Sequence, residues 1–414
     1  MHQASPEDQR APARATFLVF AAFGLVLATW SSRIPQIRAA LHLAPSTLGL
    51  LLLCIAAGSL VTLPFAGPLA ARIGARAAVS AAGVGGTVGM LLAAVGVGVH
   101  ELAVTVVGLL VMGLATGIWD VCANIQAAWV EQQIGQPLMA RFHSGYSIGT
   151  VLGALIGVLM IAVGVSAAVD IGAVSLVIGI SVPWFARHFI GRGHGAAMTT
   201  GSRAGQADRV EEPPPRTVWR ERRTLLLGLL VASFALVEGA GNDWIGVSMI
   251  SGHHSAAAVG TLAYGTFLTA MTLGRWFGPQ VVARRGRALA LSNSACLAIV
   301  GLVVYIFVPS IAAAFVAVFC WGAGTALGFP LGISAAADGF ERAHGRVGVA
   351  TSVGYLGLLG GPPLIGLLAG AVTVIHALCA VIVVLFVALA LTPVTRPALS
   401  ASAGLRTPEP VDQN

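Results

Sequence analysis

The chain is a succession of apolar runs, most of about 20 residues, parted by short polar breaks. A helix of ~20 apolar residues is what crosses a bilayer core of ~30 Å. The runs fall at 15–31, 46–70, 77–98, 102–128, 143–164, 169–187, 224–244, 257–280, 288–308, 311–335, 347–370 and 373–393, about twelve in all. The residues are 57% hydrophobic and only 9% charged, and no soluble fold of 414 residues could bury so much apolar surface. Lipid is the expected solvent, and the fold class an all-α membrane protein of about twelve transmembrane helices.

All 23 basic residues are arginine. Without lysine there is no P-loop ATPase and no Schiff-base chemistry, so retinal and pyridoxal mechanisms are excluded. The net charge of +7 does not point to nucleic acid, because the arginines mark loops between apolar runs. If the N-terminus is cytoplasmic, the inner loops hold Arg72, Arg76, Arg141, Arg284, Arg285, Arg287, Arg342 and Arg346, with more in the 187–223 segment. The outer loops hold only Arg33 and Arg38, so both termini are expected inside. The first run follows Arg10 and Arg14 in the manner of a signal peptide, but the many later runs favour an uncleaved first helix. The cysteines Cys54, Cys122, Cys296, Cys320 and Cys379 all lie in apolar runs and read as small core residues, with no metal spacing.

Segment 188–223 is rich in Gly, Ser, Pro and charge, and reads as a flexible cytoplasmic linker. It sets the expected layout: an N-terminal segment 1–14, a six-helix half 15–187, the linker, a second half 224–393 and a tail 394–414. The halves resemble each other. AARIG (70–74) recurs as VARRG (282–286), and GYSIGTVLGALIG (145–157) as GYLGLLGGPPLIG (354–366). The offsets of 212 and 209 residues nearly agree, which supports a duplicated six-helix unit with two pseudo-symmetric halves.

This organisation resembles the major facilitator superfamily. GPLAARIGAR (67–76) is similar to that family's loop motif between spans two and three, with Gly67, Leu69, Ala70, Arg72, Gly74 and Arg76 in place. Ala71 stands where the motif has Asp, which weakens a charge-paired gate. WSSRIPQIRAALHL (30–43) and NIQAAWVEQQIGQPLMARFHS (124–144) further resemble an uncharacterised bacterial inner-membrane branch. The resemblance implies alternating access, with two halves rocking about a midplane cavity. It also implies gating of the inner face by Gly67, Arg72, Gly74 and Arg76.

Polar groups inside the spans then indicate where the cavity lies. Glu238 is 15 residues from Arg223, or ~22 Å into the membrane at ~1.5 Å per residue. A carboxylate there costs at least ~2.5–3.5 kcal/mol on insertion scales, so it should face protein or a wet cavity. It reads as a proton-exchanging acid or as a structural hydrogen-bonding one. Asn242 shares its face, and Gly239 and Gly241 permit a break or a close approach. Asp243 falls near the outer interface, where a mouth or cap residue and a proton group are both open. Trp244 suits an interfacial anchor.

In WDVCANIQ (119–126), Asp120 and Asn124 are four apart and face one way, as a relay or as an inter-helix bond. Trp119 and its counterpart Trp321 line the cavity or pack within the bundle. His143 opens span five as a proton group or an interfacial histidine. Tyr146 and Tyr355 are repeat-related and donate to solute or to another helix. Gly145, Gly149, Gly153 and Gly157 make a flat stripe for close helix packing.

The leading function is a secondary transporter of a small organic solute, coupled to protons. An uncoupled facilitator, an efflux carrier and a transporter-like sensor are the alternatives. No enzyme motif, cofactor or metal set is present in the sequence, and the partners expected are solute, protons and lipid, with no nucleic acid, for a monomer in a bacterial inner membrane.

Overall fold

A computed structural model describes residues 6–135, 138–189, 215–338 and 343–396. Among the described residues there are twelve helices long and apolar enough to cross a membrane: Arg10–Ser32, Pro45–Ile73, Ala75–Gly98, Leu102–Ile134, Arg141–Ala162, Ala167–Ala186, Arg222–Ser251, Ala257–Arg285, Arg287–Phe307, Ile311–Ala336, Gly345–Ala371 and Val374–Thr395. They are numbered here as spans one to twelve. The expected fold class stands. Most of the expected linker, 190–214, the tail from 397 and Arg342 lie outside the described residues.

Several helices outrun their apolar stretches. The first begins at Pro6, inside the expected N-terminal segment. The fourth reaches Ile134 and the seventh Ser251, well beyond 128 and 244. Hydropathy finds the lipid-facing length, whereas backbone hydrogen bonding carries a helix onward wherever other helices cover its polar turns. The seventh span shows this best: it is the most buried of the twelve, and Trp244, Val247, Ser248 and Met249 in its C-terminal turns are buried. It runs unbroken through Gly239 and Gly241, and the ring of Phe267 occupies the space a side chain at Gly241 would need.

Spans one to six pack among themselves, as do seven to twelve. The duplication is visible in the backbone. Gly74 between spans two and three has φ 86°, and Gly286 between spans eight and nine has φ 75°. Both corners need the left-handed region that glycine enters without penalty. The stripe on span five packs against span one. A Cβ on Gly149 would lie 2.0 Å from the Ala21 carbonyl oxygen, so the backbones touch there.

Contacts between the halves run along spans two and eleven and along spans five and eight. The tight ones gather at the arginine-poor end of the bundle. Gly49 meets the Pro362 carbonyl, Gly366 meets Pro45, and Gly246 meets Pro35. Thr261 Oγ1 donates to the Ser32 carbonyl at 3.0 Å. A short helix, Ile34–Ala40, follows the first span there, with Ile34 and Ile37 fully buried. It is anchored by Arg33, expected as a simple loop charge. Arg33 and Asp170 are each 1% exposed and stand 3.0 Å apart, while another guanidinium nitrogen donates to the Val165 carbonyl.

Candidate functional site

Between the halves lies a cavity of about 280 Å³. Its two walls differ in chemistry. The first half contributes neutral groups only, among them the hydroxyls of Ser31, Ser59, Thr116 and Thr150 and the phenol of Tyr146. Every charge comes from the second half: Glu238 and Asp243 on span seven and Arg275 on span eight. Asn242, Tyr264 and Thr272 add further polar groups, and Leu52, Ile55, Leu268 and Met271 give it apolar surface.

Arg275 is the residue that sequence reasoning missed. Its Nη2 donates to both carboxylate oxygens of Glu238, at 3.0 and 3.2 Å. The side chains are 35% and 25% exposed, so the pair faces the cavity and is not sealed in the core. The signal was available: an arginine within the apolar run 257–280. Treating arginine as a loop marker concealed it, although a charge inside a span should by default be asked for its partner. Tyr264, a phenol in the same run, carried no distinguishing signal.

Asp243 differs from its expected place. It does not cap the mouth, because the helix continues to Ser251 and carries Asp243 within the span. It lines the cavity and has no hydrogen bond or ion pair among the described residues. One carboxylate in the cavity is thus neutralised by an arginine, and the other has only the cavity to face. Trp244 is fully buried, not an interfacial anchor.

The remaining expected residues divide. Asn242 and Tyr146 join Glu238 and Asp243 in the cavity. Asp120 and Asn124 do face one way, with Asn124 Nδ2 bonded to Asp120 Oδ1 at 3.1 Å and to its carbonyl at 2.9 Å, but neither lines the cavity. Trp119 and Trp321 do not line it either. Each is buried within its own half, Trp119 at 5.3 Å from the Phe23 ring and Trp321 at 5.6 Å from Phe267. Indole rings carry large apolar area, which the cores of the halves absorb. Tyr355 is half-buried on span eleven outside the cavity. His143 is exposed near the arginine-rich end, with its ring edge-on to Phe20 at 5.1 Å.

In the loop motif Gly67 faces open space, Gly74 forms the positive-φ corner, Arg72 ends the second span and Arg76 is exposed. The second half carries charge pairs at this end. Asp338 accepts from Arg287 at 2.5 and 3.0 Å and from Arg223 at 3.2 Å, and Glu221 accepts from Arg346 at 2.7 Å.

Comparison with known proteins agrees with this architecture. The family model described as Major Facilitator Superfamily matches residues 15–362. An uncharacterised MFS-type transporter of Yersinia pestis is 30% identical over 400 residues, covering 96% of this chain and 99% of its own length. The membrane protein MosC of Rhizobium meliloti is 28% identical over 370 residues, 87% of this chain and 84% of its own. Among solved structures, a D323A mutant of the nucleoside transporter NupG superposes with a TM-score of 0.75 at 13% identity, covering 94% of this chain and 100% of that one. A D-xylose-proton symporter superposes with a TM-score of 0.73 at 10% identity, over 93% and 97%.

Proposed function

The chain belongs to the major facilitator superfamily and is a multi-pass membrane transporter, and from that premise we propose that it moves a small polar organic solute by alternating access, coupled to protons. The observation that carries the coupling is Asp243, a carboxylate without a protein partner among the described residues, set in the cavity between the halves. Leaving such a group ionised within the membrane is costly, so a proton or a solute cation must neutralise it. Glu238 is already met by Arg275 and serves as the polar floor that positions solute. Hydroxyls, phenols and an amide around them suit a ligand with several hydrogen-bonding groups. The volume of about 280 Å³ admits a small molecule; pockets for drug-sized ligands run from ~300 Å³ upward.

The cycle follows from the packing. The halves touch at the arginine-poor end, through Gly49, Pro362, Thr261 and Ser32. Rocking would release those contacts, close the arginine-rich end and turn the cavity to the other face. Asp243 would take up its proton on one side and lose it on the other. By arginine distribution the arginine-rich end and both termini face the cytoplasm of a bacterium, across its inner membrane. One chain encloses the whole cavity, which suits a monomer.

The test is proton movement in proteoliposomes holding a pH dye, with sugars, nucleosides, amino acids and amines added in turn. One solute should drive proton flux in the wild type, and Asp243→Asn should abolish that flux. Solute crossing with no proton movement would end the coupled reading and leave a facilitator. A facilitator has one observation in its favour: Arg275 already cancels the charge of Glu238.

A further inference from the structure

Spans eight and nine leave their shared corner at Gly286 and diverge, each packing mainly on span ten. The wedge between them is a groove of about 510 Å³, away from the central cavity. Ala290 on span nine and Ala323 and Leu327 on span ten give it an apolar floor. Phe277, Val281 and Leu297 form its walls and are 52%, 40% and 41% exposed, so the groove opens on the outside of the bundle, where lipid lies.

Its mouth is cationic. Arg284 and Arg285 line it, both exposed and neither with an ion pair among the described residues. Asp338, at the same end, is taken by Arg287 and Arg223. No acidic residue lines the groove. Deeper in are two exposed amides, Gln280 and Asn293, without hydrogen-bond partners among the described residues. Asn293 is six residues beyond Arg287, or ~9 Å along the helix axis. A bare amide on the lipid-facing side at that depth is costly unless something polar meets it.

The other half provides an internal comparison. At the 212-residue offset that relates Gly286 to Gly74, the counterparts of Gln280, Arg285 and Asn293 are Pro68, Ile73 and Ala81. Arg284 corresponds to Arg72 of the shared loop motif, so Arg285, Gln280 and Asn293 are the part of the polar lining that belongs to the second half alone.

We propose that this groove binds an anionic phospholipid of the leaflet at the arginine-rich end. The phosphate meets Arg284 and Arg285, whose guanidinium groups offer paired donors. Gln280 and Asn293 meet the glycerol and ester oxygens, and an acyl chain lies along Phe277, Val281 and Leu297. Charge selects the lipid class: two unpaired cations with no acid beside them favour a headgroup of net negative charge over a zwitterionic one.

The test uses the purified full chain in detergent, with retained lipid read by native mass spectrometry after adding phosphatidylglycerol, phosphatidylcholine or glycerol 3-phosphate. Wild type should retain phosphatidylglycerol in preference to phosphatidylcholine, and glycerol 3-phosphate, which lacks the chains, should not be retained. Each arginine near a membrane surface is worth about fivefold in anionic-lipid binding, so R284Q/R285Q should retain far less. N293L, which keeps both charges, should also lose retention, and R76Q, at the corresponding end of the other half, should not. Elution as a single symmetric peak on size exclusion confirms that each variant is folded. Equal retention of both lipids, or unchanged retention in R284Q/R285Q and N293L, would overturn the proposal. Retention of glycerol 3-phosphate as tight as that of the lipid would overturn it too, since the site would then hold free phosphate.

Discussion

Arg275 bridges both oxygens of Glu238 through a single nitrogen, at 3.0 and 3.2 Å, and so ties span eight to span seven on one wall of the cavity. Each charge makes the other tolerable within the membrane. Replacing Arg275 by Gln leaves Glu238 to be protonated or unpaired. Transport by Arg275→Gln is expected to fall at least tenfold, about 1.4 kcal/mol in activation free energy. The double variant Glu238→Gln/Arg275→Gln should recover the folded yield lost in the single one. Wild-type flux in Arg275→Gln, measured with labelled solute in proteoliposomes, would mean the pair has no part in transport.

Asp243 lines the same cavity without a protein partner among the described residues. Asparagine keeps the shape and a hydrogen-bonding oxygen but cannot exchange a proton. Asp243→Asn is therefore expected to carry out solute counterflow, where no net proton movement is needed, and to lose accumulation against a gradient. Loss of both activities together would assign Asp243 to solute binding.

A cross-link should arrest the rocking of the halves. A Cβ built on Gly265 lies 3.5 Å from Cβ of Ala154, across the interface between spans eight and five, within the ~3.5–4.5 Å that a disulfide spans. The pair A154C/G265C, oxidised, is expected to lose transport and to regain it on reduction, while each single variant stays active. Transport by the fully oxidised pair would show that this contact persists throughout the cycle.

Arg33 and Asp170 form an ion pair with almost no solvent exposure. Removing one partner strands a buried charge, at a cost of about 3–5 kcal/mol, whereas replacing both by apolar residues of similar size is near neutral. Asp170→Leu should lower the thermal midpoint in detergent, and Arg33→Met/Asp170→Leu should restore most of it. An unchanged midpoint in Asp170→Leu would place the clasp at the surface in solution.

Twelve spans, their division six and six, and the repeat at AARIG and VARRG were all legible in the sequence. Each depends on local chemistry: apolar length against bilayer thickness, and glycine where the chain must turn with positive φ. The packing face of span five was legible for the same reason, since glycines at every fourth position fall on one side of a helix. Glu238 and Asn242 declared themselves because polar groups in an apolar run need a reason to be there.

Tertiary structure decided the rest, because partnership is not a local property. Arg275 and Glu238 are 37 residues apart, and only the packing of spans seven and eight brings them together. Asp243 looked interfacial by counting from Arg223, and became a cavity residue because the helix runs on to Ser251 and neighbouring helices bury it as far as Met249. Trp119 and Trp321 sit on spans that also bear polar groups, yet their rings turn into the cores of the halves. Hydropathy measures how well a segment tolerates lipid; which of its faces meets lipid, protein or water is set by the neighbours it packs against.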